Sequence, residues 1–372
     1  MRTLLPGWAL VAAASLIACS NPTVVDQPLG RSPADGGSGD GAALRPYAMD
    51  ARLHLNELQI KATHNSYHVE KAGNLIPQWK YSRDPLATQL GEQGVRGVEL
   101  DTHFIEATGT LDVFHVAGGD DNTTCQHFVE CLGQLKAWSD AHPGHHPLFV
   151  QIEPKEPSLS QTVDFAAYSD AMDAEILSVW PRSRVITPAD VQGSAATLRE
   201  AVTTKGWPTL GASRGKVLFY SNDRTTFHAA YTRGGADIHG RVLFPESHPD
   251  EPIAAVVILN TPDLATADVV KQGFIVRTMC DGVPIPADAE ARRKTALDSG
   301  AQIISTDFPV PLAGVDPVGL TIPGGTPSRC NPVNAPGGCT SQAVENPIDL
   351  TRKRSIRHRE TMMARPHCRV LL

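Results

Sequence analysis

The sequence predicts an α/β protein built as a TIM-type (β/α)8 barrel, and three observations indicate this fold. Short apolar runs such as residues 148–152 alternate with helical stretches from about residue 50 onward. Their continuous apolarity is typical of strands buried on both faces of a parallel sheet. Polar residues gather just after several of these runs, where barrel strands present functional groups at one rim. A doubly wound open sheet is the competing architecture, but it would not spread polar groups over so many strand ends.

The predicted strands number roughly eight. They are residues 60–63, 95–100, 111–114, 148–152, 216–220, 274–277 and 302–305, with residues 241–244 and 254–259 competing for one further place. Apolar residues at three- and four-residue spacing predict a helix over 126–142. Proline or glycine after the last helical residue ends three further predicted helices, at 164–180, 197–205 and 288–299.

Residues 1–19 are predicted to form a lipoprotein signal peptide. Arg2 supplies the positive charge, and the apolar run 10–18 is too short to span a membrane. The run ends in Leu16-Ile17-Ala18-Cys19, which resembles a bacterial lipobox in which Cys19 becomes the acylated first residue. Ordinary cleavage nearby, without acylation, is the alternative. We therefore expect an exported, membrane-anchored lipoprotein, either periplasmic or at the cell surface.

The remaining chain divides into three predicted parts. Residues 20–49 are rich in Gly, Ser, Pro and Asp and form a flexible linker. The barrel domain spans 50–342, and residues 343–372 form a disordered tail. The net charge of −7 and the lack of a dense basic patch before the tail argue against nucleic-acid binding. We expect the protein to be a monomer.

The cysteines fit an exported protein. Cys125 and Cys131 lie six positions apart, and Cys330 and Cys339 lie nine apart. Close pairs in an oxidising compartment are typical of local disulfides, whereas a zinc site would favour Cys-x-x-Cys spacing. The second pair is expected to pin a Pro- and Gly-rich C-terminal extension over part of the barrel. Cys280 has no evident partner and is expected to be a buried thiol.

The candidate site residues lie at four predicted strand ends. Glu99 and Asp101 are two positions apart, so a strand places both on one face, and two adjacent carboxylates repel unless a cation or proton intervenes. Asn65 and Glu153 complete an all-oxygen set that suits calcium or magnesium rather than zinc.

Three basic side chains accompany the predicted ion. His64 and His115 are the acid–base candidates, because an imidazole titrates near neutral pH. His68, His103 and His127 are near them in the sequence and rank lower. Lys155 is expected either to contact a phosphate oxygen or to pair with Glu153.

These residues together resemble the active-site series of phosphoinositide-specific phospholipase C. The series consists of His64-Asn65, Glu99-x-Asp101, His115 and Glu153-Pro154-Lys155. Later segments are similar to the bacterial calcium-dependent branch of that superfamily; they are residues 274–278, 300–307 and 329–333. The resemblance covers roughly residues 50–340.

The resemblance implies a TIM-type barrel, one Ca²⁺ ion and cleavage of a phosphodiester. It matches Asn65, Glu99, Asp101 and Glu153 to metal ligands, and His64 and His115 to catalytic histidines. Arg277 and Lys155 are the expected substrate-binding residues. The implied products from phosphatidylinositol are diacylglycerol and a cyclic or open inositol phosphate. The alternatives are a glycerophosphodiester phosphodiesterase or sphingomyelinase-D-like hydrolase, and a non-catalytic lipoprotein that binds a headgroup.

Overall fold

A curved sheet organises the protein in this computed structural model, which describes residues 49–156, 162–235 and 237–346. The sheet has ten strands. They are β1 (Leu58–Thr63), β2 (Gly97–Ile105), β3 (Thr110–Val113), β4 (Leu148–Pro154), β5 (Val185–Ile186), β6 (Val217–Ser221), β7 (Val256–Ile258), β8 (Ile275–Met279), β9 (Ile303–Thr306) and β10 (Ser328–Cys330).

The main path of the sheet is parallel and runs in the order β5-β6-β4-β2-β1-β9-β8-β7. The segment 243–247 lies between β6 and β7. Phe244 forms a parallel bridge to Tyr220 of β6, and Glu246 forms one to Val256 of β7. The predicted parallel α/β fold is therefore confirmed. The regular eightfold barrel is seen only in part, because this segment replaces a strand in the described residues.

Residues 241–244 and 254–259 were alternatives for one predicted strand, and the structure uses both. Both segments lie in the sheet, the second as β7 and the first through its bridge to β6.

The prediction for residues 111–114 needs correction. They form β3, which pairs antiparallel with β2 as a hairpin and is not one of the parallel strands. Its apolar residues Leu111 and Val113 are buried against the helical layer, which explains why it looked like a core strand.

Helices surround the sheet. They are α1 (Leu86–Gly91), α2 (Phe128–Ala141), α3 (Phe165–Val179), α4 (Pro188–Gln192), α5 (Leu198–Glu200), α6 (Leu210–Ser213), α7 (Thr226–Tyr231), α8 (Thr266–Lys271), α9 (Ala289–Asp298) and α10 (Ser341–Val344). The four predicted helices are present within a few residues, and α5 continues as a π-helix over Ala201–Lys205. Among the described helices, none combines the length and apolar character that crossing a bilayer requires.

The C-terminal extension is anchored to the barrel at several points. β10 pairs antiparallel with β1, and the Cys330–Cys339 disulfide closes the loop behind it. The buried Lys61 ammonium donates to the carbonyl oxygens of Pro309 (2.6 Å) and Leu320 (3.3 Å). The predicted disulfide-pinned extension is therefore present. Cys280 is a buried free thiol, as expected.

The described fold extends through residue 346, past the predicted boundary at 342. The buried Glu345 carboxylate pairs with the buried Arg96 guanidinium, and Val344 packs against Leu58. At the other end, Met49 is already buried. The predicted signal peptide with Cys19, nearly all of the linker and residues 347–372 lie outside the described residues.

Candidate active site

Two neighbouring parallel strands bring the predicted carboxylates together. In β2, Val98 and Leu100 point into the apolar layer under the helices, so Glu99 and Asp101 face the opposite side. The register with β4 places Asp101 beside Glu153. One carboxylate oxygen from each of Glu99, Asp101 and Glu153 lies within 4.8 Å of the others. The structure thus assembles three of the four predicted ligands in one place.

Asn65 lies directly after β1, beside β2. The backbone N–H of the next residue, Ser66, donates to the Glu99 carbonyl oxygen at 3.0 Å, and the Ser66 hydroxyl accepts from the Glu99 N–H at 2.8 Å. Asn65 has a φ of 43°, in the left-handed region that asparagine tolerates better than most residues. Its buried side chain donates from Nδ2 to the Tyr81 hydroxyl at 3.2 Å, which leaves Oδ1 to accept.

The chemistry of this cluster fits a hard divalent cation. Calcium binds oxygen ligands at about 2.3–2.6 Å, so two ligands on opposite sides of one ion are roughly 5 Å apart. The 4.8 Å span of the carboxylate oxygens matches this. Oδ1 of the buried Asp101 has no hydrogen-bond partner among the described residues. Burial raises the pKa of Asp101 to about 7 and also raises the pKa of Glu99, and the neighbouring Glu153 carboxylate raises both further.

Two basic side chains adjoin the carboxylates. The Lys155 ammonium lies 2.7 Å from Oδ2 of Asp101 and also pairs with Glu153. The Arg277 guanidinium lies 3.3 Å from Oε2 of Glu99 and donates to the Ser305 hydroxyl at 3.1 Å. Both cations border the site, as expected. Their contact with a substrate stays a prediction.

His64 is held by a buried aspartate on the neighbouring strand end. Its Nδ1 lies 3.0 Å from Oδ1 of Asp307, which follows β9, and Arg83 pairs with the same carboxylate. Burial of the imidazole disfavours its charge, but the Asp307 and Glu99 carboxylates outweigh this and raise the pKa of His64 to about 9. The side chain is 30% exposed, so Nε2 is the ring atom left to meet a substrate.

His115 is held in the same manner by a different aspartate. Its Nδ1 lies 2.8 Å from Oδ2 of Asp120, which also lies 2.9 Å from Nε2 of the fully buried His68. Burial lowers the pKa of His115 despite the hydrogen bond to Asp120. The His115 ring also packs edge-on against Trp79, with 5.6 Å between ring centroids. Although His115 follows the hairpin strand β3 and not a parallel strand, it lies close enough to Lys155 and His64 for their positive charges to contribute to its lowered pKa.

The other two histidines have structural contacts. His103 stacks on Phe114, and its Nε2 contacts the Phe114 carbonyl oxygen at 2.9 Å. His127 is exposed and pairs with Asp112 near the start of α2. The predicted Cys125–Cys131 disulfide is formed and joins this loop to α2.

Sequence reasoning did not single out four residues that contact the predicted site residues or their partners. Asp307, Asp120 and Arg83 hold the two histidines, and Asn222 donates from Nδ2 to Oε2 of Glu153 at 2.9 Å. Asp307 and Asn222 follow β9 and β6, so the strand-end pattern that identified Asn65 applies to both. Asp120 and Arg83 lie in irregular loops, where no residue spacing indicates a role.

Comparisons with known proteins give a consistent result. The family model described as "Phosphoinositide phospholipase C, Ca²⁺-dependent" matches residues 102–332. No curated protein matches the chain.

Solved structures show the same fold at low sequence identity. A calcium-dependent phosphoinositol-specific phospholipase C from Pseudomonas sp. is 20% identical with a TM-score of 0.54, and the match covers 76% of this chain and 97% of the other. A Ca²⁺-dependent phosphatidylinositol-specific phospholipase C from Streptomyces antibioticus is 21% identical with a TM-score of 0.51, covering 69% and 95%. The family match spans well over half of the sequence, and the chain belongs to the calcium-dependent phosphoinositide phospholipase C family of phosphodiesterases.

Proposed function

We propose that this protein is a calcium-dependent phospholipase C that cleaves phosphatidylinositol-type lipids to diacylglycerol and an inositol phosphate. One observation carries the proposal. Two histidines, each held at Nδ1 by a buried aspartate, border a cluster of three carboxylates whose oxygens lie within 4.8 Å. This arrangement combines a cation site with two groups able to move protons near neutral pH.

Asn65, Glu99, Asp101 and Glu153 would hold the Ca²⁺ ion. When bound, calcium lowers the pKa of the inositol hydroxyl next to the phosphodiester and stabilises negative charge on the phosphate. Lys155 and Arg277 lie beside these ligands, and we assign them to the substrate's phosphate and headgroup.

The histidines would carry the proton transfers. His64 takes the proton of the inositol hydroxyl, or one of the carboxylates takes it while His64 donates a hydrogen bond to the phosphate. The hydroxyl oxygen then bonds to phosphorus, and the bond from phosphorus to the diacylglycerol oxygen breaks. His115 donates a proton to that departing oxygen. The direct product is a cyclic inositol phosphate, which water can open in a second step.

A panel of phosphodiesters tests this function. Phosphatidylinositol, glycerophosphocholine and sphingomyelin are each incubated with excess calcium or with a chelator, and the phosphorylated products are identified by ³¹P NMR. We expect phosphatidylinositol to yield cyclic inositol phosphate and diacylglycerol in the samples with excess calcium, and no product in the samples with the chelator. Release of glycerol phosphate or of a free choline headgroup would instead favour the other hydrolase classes. Tight calcium-dependent binding without turnover would favour a non-catalytic headgroup-binding protein.

The cellular setting belongs to the same proposal. We infer that Cys19 is acylated and that the enzyme is an exported, membrane-anchored monomer. The Cys125–Cys131 and Cys330–Cys339 disulfides support an oxidising compartment. We also infer that the sheet is a variant TIM-type barrel completed through segment 243–247, which the two bridges to β6 and β7 support.

A further inference from the structure

The His68 imidazole is a buried group to which the proposed mechanism gives no role. Its side chain is 0% exposed, and each ring nitrogen faces an acceptor. Nε2 lies 2.9 Å from both carboxylate oxygens of Asp120, and Nδ1 lies 2.9 Å from the carbonyl oxygen of Tyr81. Because a carbonyl and a carboxylate both accept hydrogen bonds, each ring nitrogen carries a hydrogen when both bonds form. The ring is therefore fixed at both nitrogens.

Asp120 joins this buried ring to the proposed catalytic histidine. Its carboxylate is 0% exposed, and Oδ2 accepts from Nε2 of His68 at 2.9 Å and from Nδ1 of His115 at 2.8 Å. Within the described part of the chain, these two imidazoles supply the hydrogen bonds to the carboxylate. The side chain of His115 is 22% exposed, so the three groups form a row from the interior to a ring that solvent reaches.

The support on the His68 side of this row is the more enclosed. The His68 ring stacks on Tyr81 with 4.2 Å between ring centroids, and its backbone N–H donates to the Asn65 carbonyl oxygen at 3.0 Å. Asp120 lies instead in the loop after β3, where its backbone exchanges hydrogen bonds of 2.8 and 2.9 Å with Val116. The orientation of the Asp120 carboxylate therefore depends on the two rings, and His68 is the ring that the interior encloses completely.

We propose that His68 is a positioning residue for catalysis, which holds the Asp120 carboxylate in the orientation that fixes the His115 ring. The inference rests on the proposed function, in which His115 donates a proton to the departing oxygen. Without the His68 donor, the carboxylate would keep one partner in a buried setting, where an oxygen that lacks a hydrogen bond is costly. The carboxylate would rotate towards another donor, and the His115 ring would follow it. A proton donor that is misplaced by about 1 Å loses much of its effect on the rate.

Two amides of different length separate this role from a structural one. In His68→Gln the amide nitrogen takes the place of Nε2 and still donates to Asp120. In His68→Asn it takes the place of Nδ1, donates to the Tyr81 carbonyl oxygen and falls short of Asp120. With monomeric short-chain phosphatidylinositol and saturating calcium, we expect His68→Asn to lower kcat about 10–100-fold and His68→Gln to lower it less than about threefold. KM should change less than about twofold in both variants.

A second substitution shows whether His68 acts through His115. In a chain that already carries His115→Ala, His68→Asn should lower kcat less than about twofold further, because residues that act as one unit are not additive. Calcium affinity should stay the same in every variant, which separates the effect from a disturbance of Asn65. His127→Asn, the same change at an exposed histidine, should leave kcat unchanged.

Nuclear magnetic resonance of the full chain with ¹⁵N-labelled histidine, in a calcium chelator, tests the same coupling without turnover. We expect the Nδ1–H signal of His115 in the parent and in His68→Gln, and its loss through exchange with water in His68→Asn. We also expect His115→Ala to shift the Nε2–H signal of His68, since both rings share one carboxylate oxygen. This last comparison leaves His68 in place, so it decides the question if His68→Asn unfolds.

Any of three results would overturn the proposal. They are equal losses of kcat in His68→Asn and His68→Gln, a further full loss when His68→Asn is added to His115→Ala, and an unshifted His68 signal in His115→Ala. Because the signals are recorded without substrate, they report on His68 whatever the phosphodiester panel yields. A parent chain that shows the coupled signals but cleaves no phosphodiester would contradict the proposed function and not the placement of His115 by His68.

Discussion

Asp307 and Asp120 each contact Nδ1 of one of the two histidines, but the pKa values of these histidines are shifted in opposite directions. Each aspartate holds Nδ1 of its histidine, so Nε2 is left for the substrate. The carboxylates around His64 raise its pKa to about 9, whereas burial lowers the pKa of His115. The raised pKa keeps His64 protonated near neutral pH, so these charges favour the route in which a carboxylate takes the hydroxyl proton and His64 donates a hydrogen bond to the phosphate. His115, with its lowered pKa, must gain a proton before it can donate one to the departing oxygen.

His115 is the residue whose loss should affect proton transfer most directly. We expect His115→Ala to lower kcat about 10²–10⁴-fold at saturating calcium, because a positioned acid or base contributes that much to the rate. Calcium affinity should stay the same, since His115 is not a proposed ligand. The exposed His127 provides the matched control, and His127→Ala should retain normal turnover. Near-normal turnover of His115→Ala would remove His115 from the mechanism.

One physical rule predicted which carboxylates lie together. Asn65, Glu99, Asp101 and Glu153 were proposed as ligands because strand ends and alternate strand positions share a face, and the structure places the three carboxylates within 4.8 Å of one another. The rule does not predict a role for Asp120, because Asp120 lies in the loop after the β2–β3 hairpin and not at the end of a parallel strand. The pairing of Arg83 with Asp307 spans 224 positions of sequence, and no local pattern encodes such a contact.

At the scale of elements, the close approach of β1 and β2 positions the metal site. Gly97 pairs with Ala62, and a Cβ on Gly97 would lie 2.7 Å from the Ala62 Cβ. We expect Gly97→Ala to destabilise the fold by about 1–3 kcal/mol through overpacking. It should also weaken calcium binding, because it separates the strands that carry Asn65 and Glu99.

Chemical denaturation and calcium titration measure both effects of Gly97→Ala. Gly133→Ala is the control, since Gly133 lies in α2 with open space around its Cα and alanine favours a helix by about 0.5–1 kcal/mol. If Gly97→Ala were as stable as the parent, the strands would not be closely packed there.

The ion pair between Arg96, the residue before β2, and Glu345, near the C-terminal end of the described fold, should make the stability of the fold depend on pH. Burial alone would raise the pKa of Glu345, but Arg96 and His146 lower it to about 2. Because this pKa is depressed in the folded state, its stabilising contribution is full above pH 4.5 and is lost as the pH falls towards 2. A shift of this size corresponds to about 3 kcal/mol.

Thermal unfolding of Glu345→Gln and its parent between pH 7 and pH 3 measures this contribution. The variant should unfold at a lower temperature at pH 7, and the gap should narrow as the solution is acidified. Glu57→Gln is the control, because Glu57 only caps a short turn at the N-terminal edge of β1. A gap that is constant with pH would show that the Glu345 charge contributes nothing.

Element types were largely predictable, but pairing direction was not. The helix over residues 126–142 was evident from its apolar spacing and is present as α2. Residues 111–113 show the same buried apolar character as the parallel strands, yet β3 is antiparallel. Pairing direction depends on the short connection 106–109, and apolar patterning alone does not report it.

At the scale of the whole molecule, the site depends on segments that are distant in sequence. β1, β2, β4 and β9 lie next to one another in the sheet although Asn65 and Asp307 are more than 240 positions apart. Parallel strands place their carboxyl ends at one edge of the sheet, which is why a parallel α/β fold and a cluster of strand-end carboxylates could be predicted together. The central claim is that the four predicted ligands share one ion.

Isothermal titration of calcium into the full chain and into Asp101→Asn tests that claim most directly. Asp101 is the buried carboxylate at the centre of the cluster, and the variant keeps its shape while removing its charge. We predict one calcium ion bound per parent chain and an affinity at least about tenfold lower for Asp101→Asn. A parent that binds no calcium, or a variant that binds it equally well, would contradict the account.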